Sequence, residues 1–403
     1  MTTRRLLLAT ALSTALLLSG CGSIADDGGG AAAGEAPPGV TDTAITIGAT
    51  LPLTGTAAVA GQGLEAGLRI AADEINAAGG INGRQVELVL LDDAFAPDRV
   101  VTNVRRLVSQ EGVYALVAPA GSQGLPGTWS FIAENGTPVW GPVSPGDPEL
   151  DEVYLLSATR KSQIQVAIDY YAAQGFTDIG VIRQNNDLGV SMTAALTDQM
   201  PEHPEMRIVA EQETQTGSTD VSSAVNNIIA ANPQAVLLAT DNTQVGLILQ
   251  GLRNRGVTVP VFADQGGAGT GGPSAIGPAG AAAEGLIGGM QVDTVSTDNP
   301  DVEHWRGLAQ QYSGEQGTSG FSLQTYSSLR AFAELVQRMG DDMGYANFQA
   351  VAEGLREDPI SLGAIPDIEC GPLPGGHTCV NQAGLAIVRG GQWQILQAFQ
   401  APS

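Results

Sequence analysis

Short, nearly unbroken apolar runs alternate with helix-period segments along most of this sequence, and that alternation admits few folds. Residues 44–50 are β-branched and alternate in polarity, and residues 86–91 are almost continuously apolar. A run apolar on both faces is the mark of a parallel strand covered on each side by helices. Between these two runs, residues 61–77 place Leu64, Leu68, Ala71, Ala72 and Ile75 on one helical face, and Gly79-Gly80 supplies the stop. A helix over 98–110 and strands over 115–117 and 138–140 complete a first series. A second series repeats the design, with strands over 179–182, 207–210, 235–239, 259–262 and 286–287. Its helices fall at 163–174, 189–199, 221–231 and 243–254. Such repeats imply parallel sheets joined by right-handed crossovers. Two series imply an α/β chain of two lobes, each a doubly wound parallel sheet, with ligands placed beyond the carboxyl ends of the strands. The 403 residues suffice for both lobes.

The first 21 residues follow another pattern. Arg4 and Arg5 precede an uncharged apolar stretch over 6–18. That stretch is shorter than the roughly 20 residues of a transmembrane helix and has the length of a signal-peptide core. It ends in Leu18-Ser19-Gly20-Cys21, which looks like a bacterial lipobox: small residues before a cut, then a thiol that accepts diacylglycerol. Residues 1–20 therefore read as a lipoprotein signal peptide, and Cys21 as the lipidated N-terminus that anchors the chain to a membrane. An ordinary secreted leader with a chance cysteine is the alternative. Residues 21–42 contain Gly28-Gly29-Gly30 and Pro37-Pro38-Gly39, lack apolar periodicity, and read as a flexible tether. With Cys21 carrying lipid, Cys370 and Cys379 remain, an even number in an oxidising compartment. The turn formers between them can fold the two thiols together as a disulfide. A metal site with His377 as third ligand is the rival reading, against the four-ligand habit of structural zinc.

Charge and motifs narrow the chemistry. Eighteen Lys and Arg stand against 42 Asp and Glu, a formal charge of −24, so nucleic acid is a poor partner. The three histidines, His203, His304 and His377, form no His-Glu-x-x-His pattern, and no Gly-x-Ser-x-Gly elbow exists. Gly61-Gln62-Gly63-Leu64-Glu65-Ala66-Gly67 imitates a dinucleotide fingerprint, but its third glycine comes one residue late. Asp92-Asp93, at a strand end, offers carboxylates that could ligate a metal. No enzyme activity or cofactor is expected.

Several separate motifs then fall in a familiar order. Ile45-Thr46-Ile47-Gly48, Pro52-Leu53-Thr54-Gly55 and Asp73-Glu74-Ile75-Asn76-Ala77-Ala78-Gly79-Gly80-Ile81-Asn82-Gly83-Arg84 resemble the leucine/isoleucine/valine-binding protein family. Ala231-Asn232-Pro233-Gln234-Ala235-Val236 and Ala283-Glu284-Gly285 continue the match, which covers about residues 43 to 340. The resemblance implies the type I periplasmic binding protein fold, with two lobes joined by three crossing strands and a ligand cleft between them. It implies lobe one at 43–160 plus 292–358 and lobe two at 161–291 plus 359–403. It also implies that Asp92-Asp93 is a structural or cleft-rim pair, so no metal is expected. The implied role is the extracytoplasmic binding component of an ABC importer, a monomer that captures a small solute by cleft closure and serves permease and ATPase subunits.

Residue readings accompany that resemblance. The 118–124 turn offers the Ser122 hydroxyl, the Gln123 amide and free backbone N–H groups to an acceptor. The resemblance implies that Ser122 grips a ligand carboxylate; a plain capped turn is the other reading. Val143 and Ser144 stand at the next strand end, where Pro145 lacks the hydroxyl and N–H that the family uses. In lobe two, the family's acidic partner for a ligand ammonium falls at Gln265, and an aromatic position at Asp241. With Asn242 and Asp264 beside them, these residues are expected to meet donor groups of the ligand, although either aspartate reads equally as a helix cap. Two further family aromatics fall at Ala60 and Leu188, while Phe321 keeps the aromatic that closes over the ligand. These departures argue against leucine, isoleucine or valine, and the expected ligand is a small amino-acid-like or related polar organic solute. A receptor domain feeding a separate sensor, or an extracellular hydrolase, are the other readings of the chain.

Overall fold

The computed structural model describes residues 36–401 except 122–123, 146–147, 149, 272–273, 314–316 and 372–375. Cys21 lies outside the described residues. The strands, in chain order, are β1 (Ala44–Leu51), β2 (Gln85–Asp92), β3 (Ala115–Val117), β4 (Val139–Trp140), β5 (Leu150–Leu155), β6 (Asp178–Gln184) and β7 (Arg207–Thr214). They continue with β8 (Ala235–Ala239), β9 (Val261–Ala263), β10 (Leu286–Met290), β11 (Gly376–Thr378), β12 (Ala383–Arg389) and β13 (Gln392–Gln400). One sheet runs β11-β5-β4-β3-β1-β2, and the other β13-β12-β10-β9-β8-β6-β7. Every neighbouring pair in the first is parallel. In the second, only the β10–β12 and β12–β13 pairs are antiparallel.

Side-chain alternation explains why the apolar runs fold this way. In β8, Ala235, Leu237 and Ala239 enter one core cluster while Val236 and Leu238 enter the cluster on the opposite face. In β3, Ala115 and Val117 face one cluster and Leu116 the other. A strand with both faces in oil carries no polar alternation, and helices must cover it on both sides. Each fully buried Leu or Ile stabilises the fold by about 1.5–3 kcal/mol relative to exposure.

Both sheets belong to one compact unit of the chain, from Ala36 onward. Among the described residues the chain passes between the sheets at 156–159, 291–299 and 379–382. After the second passage, helices Pro300–Ser313, Gly320–Met339 and Tyr345–Gly354 pack on the first sheet's core through Trp305, Phe332 and Phe348. Glu74 pins two of them to helix Ala58–Ala77. It accepts from His304 Nε2, Tyr326 Oη and Arg330 Nη1, each at 2.7 Å.

The segment 359–403 divides between the lobes, which corrects its expected assignment to lobe two. Ile360, Ile365, Ile368, Cys370, Cys379 and Val380 lie in the first core, and β11 pairs with β5. Only β12 and β13 join the second sheet. The cause is apolar burial: these side chains fill space beside Tyr154 and Phe348. Cys370 and Cys379 are joined as a disulfide across nine positions. Because the sulfurs bond each other, the metal reading with His377 falls. The His377 ring instead stacks on Tyr154, centroids 4.6 Å apart.

Candidate functional site

Val143, Ser144, Asp241, Asn242, Asp264 and Gln265 stand at or just past the carboxyl ends of parallel strands, and the two lobes build the turns there differently. At the ends of β3 and β4 in the first lobe the backbone does the shaping. After β3, Ala118 (φ +51°) and Gly121 (φ +135°) turn the chain sharply. Ala120 N–H donates to Thr50 O and Val143 N–H to Pro119 O, both at 2.9 Å, lacing the ends of β1, β3 and β4 together. Ser122 and Gln123 lie outside the described residues. The N–H groups of Gly124 and Leu125 both donate to Gly121 O, at 2.9 and 2.8 Å. Those two N–H groups are therefore spent within the turn. Val143 is buried, and Ser144 is exposed in a left-handed conformation (φ +53°). Asp92 and Asp93 hold the neighbouring turn: Asp92 accepts from Thr54 N, Thr54 Oγ1 and Ala94 N, and Asp93 from Thr50 Oγ1 and Phe95 N.

In the second lobe, side chains do the shaping. Asp241, just past β8, caps helix Asn242–Arg253 by accepting from Gln244 N at 3.0 Å, and its other oxygen accepts from Gln184 Nε2. Asn242 is the first residue of that helix. Asp264, just past β9, caps the short helix Gln265–Ala268 by accepting from Gly267 N at 2.9 Å. It is 4% exposed, and its second oxygen lies 3.7 Å from Arg160 Nε. Burial pushes the Asp264 carboxyl above the usual carboxylate range, a rise that the Arg160 charge opposes without cancelling. Gln265 Oε1 accepts from Gln291 N at 2.6 Å, and its backbone N–H donates to Gln163 Oε1 at 2.9 Å.

The lobes meet beside Gln265. A Cβ built on Gly320, at the start of helix Gly320–Met339, would lie 2.3 Å from Gly271 Cα. One built on Gly271 would lie 3.1 Å from Gln265 Nε2. Only glycine lets two backbones approach this closely. Phe321 follows Gly320 and rests half-buried against the first core. Thr294 Oγ1, in the second passage between sheets, donates to Thr270 O at 2.7 Å. Gln265, next to Asp264, and Phe321, next to Gly320, thus stand beside the contact between the lobes, while Asp241 stays on the second lobe's β8 turn and Val143 and Ser144 on the first lobe's turns.

Four residues of this region escape a reading of the sequence alone: Arg160, Gln163, Gln184 and Gln291. Their partners lie 57 to 104 positions away for Gln184 and Arg160, as Gln184–Asp241 and Arg160–Asp264, and no local pattern marks them. Thr159, whose hydroxyl caps helix Arg160–Ala173, is the one local signal in their neighbourhood. Among the described residues, no group of three His, Cys, Asp or Glu could hold a metal ion. No described helix is long and apolar enough to cross a membrane.

Two doubly wound, mostly parallel sheets in one chain, with lobes that touch at Gly271 and Gly320, define a two-lobed α/β binding protein. Residues 44–384 match the family model for periplasmic binding protein. The chain belongs to that family, as a type I member of its leucine/isoleucine/valine-binding group. Membership implies an extracytoplasmic location. The chain is 27% identical over 230 residues to an amino acid binding protein of Pseudomonas aeruginosa, covering 55% of this chain and 60% of the relative. It is 25% identical over 383 residues to Leu/Ile/Val-binding protein homolog 7 of Brucella abortus, covering 90% and 91%. The chain spans about 60% of the length of the first curated relatives it matches. The crystal structure of a branched chain amino acid ABC transporter from Thermus thermophilus with bound valine has the same fold. It aligns with a TM-score of 0.75 at 15% identity, over 90% of this chain and 97% of that one.

Proposed function

We propose that this protein is the solute-binding component of an ABC importer, held at the membrane by lipid on Cys21, and that it captures a small amino-acid-like or related polar organic solute. The observation that supports this most directly is the close contact of the two lobes at Gly271 and Gly320, beside Gln265 and Phe321. A solute held from both sides favours the closed arrangement, because contacts to both lobes exist together only when the lobes meet. The relatives' names, which concern amino acids and an ABC transporter, agree with this reading. In it, Ser122, Gln123 and Ser144 bind an acceptor group from lobe one, and Phe321 covers the apolar part. Lobe one is 43–160, 292–358 and the 359–380 segment; lobe two is 161–291 and the remainder. The protein performs no chemistry on its ligand.

Isothermal titration against a panel of amino acids and small organic acids tests the reading. Binding of one solute at a one-to-one ratio is expected, and Ser122→Ala should weaken it by about 1–3 kcal/mol, the cost of a buried partner left unsatisfied. Wild-type affinity in both Ser122→Ala and Phe321→Ala would move the site elsewhere. For the anchor, Cys21→Ala should shift the protein from the membrane to the soluble fraction, and unchanged membrane retention would refute lipidation at Cys21.

A further inference from the structure

Among the described residues past β8 and β9, the side-chain oxygens of Asp241, Asp264 and Gln265 are engaged, and the groups left over on Gln265 and Arg160 are donors. Asp241 has one oxygen on Gln244 N and the other on Gln184 Nε2. Asp264 is 4% exposed, with one oxygen on Gly267 N and the other facing Arg160. Gln265 has its only side-chain oxygen on Gln291 N, at 2.6 Å. Its Nε2, which carries two N–H donors, makes no hydrogen bond among the described residues. Arg160 brings five more N–H donors. Its side chain is 43% exposed, and Asp264, at 3.7 Å, is the acidic partner it meets among the described residues. Both donor groups flank the turn that follows β9, beside the contact between the lobes at Gly271 and Gly320.

From this inventory we infer that the ligand presents an oxygen acceptor, and not an ammonium, to the second lobe. The substrate class is small organic acids with a carbonyl, hydroxyl or second carboxylate where an amino acid carries its amine. The inference rests on the solute-binding reading above and narrows its ligand. An ammonium brought to this turn would leave its hydration shell beside a guanidinium, and it would find carboxylate oxygens that already hold N–H donors. An oxygen acceptor would be met by Gln265 Nε2 and by the charged Arg160, whose planar fork suits a carboxylate.

The test uses matched series on the full chain: leucine, valine, phenylalanine and aspartate, each beside the 2-oxo and 2-hydroxy acid with the same side chain. Thermal shift finds the binders, and titration calorimetry ranks them. At least one oxo or hydroxy acid should bind more tightly than its amino acid by about tenfold or more. Arg160→Gln should weaken that acid by about tenfold, with Arg160→Lys recovering part of the loss. Gln265→Glu should shift preference back toward the amino acid, a readout that general damage to the fold does not produce. Binding of amino acids alone, or an Arg160→Gln variant with wild-type affinity for the acid, overturns this inference and leaves the solute-binding reading standing. Absence of binding by every acid and every amino acid overturns both.

Discussion

The first lobe ends β3 and β4 with backbone geometry, and the second ends β8 and β9 with side chains. At the ends of β3 and β4, left-handed residues and backbone hydrogen bonds set the turns, over a floor of buried aromatics. Trp140 Nε1 donates to Ser328 O at 3.0 Å, and its ring packs against Tyr154 and Phe348. At the ends of β8 and β9, two aspartates cap helices, Gln163 of helix Arg160–Ala173 accepts from Gln265 N, and the Gln265 side chain ties the turn to Gln291 in the second passage. A backbone-built turn tolerates changes of side chain and resists changes of shape. A turn built from side chains behaves the opposite way, so its chemistry is the part that can change while the fold stays.

The sharpest challenge to that contrast is Trp140→Ala. It should remove about 3–5 kcal/mol by the cavity it leaves and loosen the first lobe's turns, as read by urea unfolding and by amide exchange over 115–145. A loss under 1 kcal/mol would show that the aromatic floor does not support them. Next in size is Gly121→Val. A Cβ there would sit 2.8 Å from Val100 Cγ2 at φ +135°, and the combined clash and backbone strain should cost about 2–3 kcal/mol.

In the second lobe the matching change is smaller and depends on chemistry. Asp241→Ala should cost about 1–2 kcal/mol through the lost cap, while Asp241→Asn, which can still cap, should be close to neutral in the same unfolding assay. Equal costs for the two variants would erase the distinction between shape and chemistry.

The smallest effect is a difference of sign with pH. Burial pushes the Glu74 carboxyl up, but its bonds from His304, Tyr326 and Arg330 outweigh that and hold it below its ordinary 4.5. Its contribution is therefore present above that value and lost as pH falls through the folded-state pKa. Asp264 is raised above its ordinary 3.8. The folded state holds that proton more tightly than the unfolded chain, so stability declines as pH climbs from 3.8 through the raised value. Glu74→Gln should lose its deficit in acid, whereas Asp264→Asn should match wild type in acid and be the more stable protein at neutral pH. Melting temperatures of the three proteins from acid to neutral pH would expose the opposite slopes; parallel curves would refute them.

Strands buried on both faces were legible because burial leaves its own trace in composition. Both β3 and β8 are found at the expected residues, 115–117 and 235–239. The expected helix over 61–77 is found as Ala58–Ala77. Strand β5 was not expected, because Asp151 and Glu152 interrupt its apolar pattern. The antiparallel β12 and β13 and the three helices between Pro300 and Gly354 were missed as well, although Leu323, Leu329, Phe332 and Val336 are buried along one of them. Asp241 and Asp264 were open to two readings from sequence, ligand contact or helix cap, and the geometry supplies the cap bonds.

By itself the sequence determined the two-sheet α/β architecture, the family and the pairing of Cys370 with Cys379. Each follows from apolar period, motif order or cysteine arithmetic, all of which are local or one-dimensional. Tertiary structure alone decided that 359–380 packs on the first lobe, that Gly271 meets Gly320, and that Gln265 spends its oxygen on Gln291 and keeps its N–H groups. The physical reason is that a hydrogen bond has one donor and one acceptor position to fill, and which atoms fill them depends on chain segments brought together only by folding.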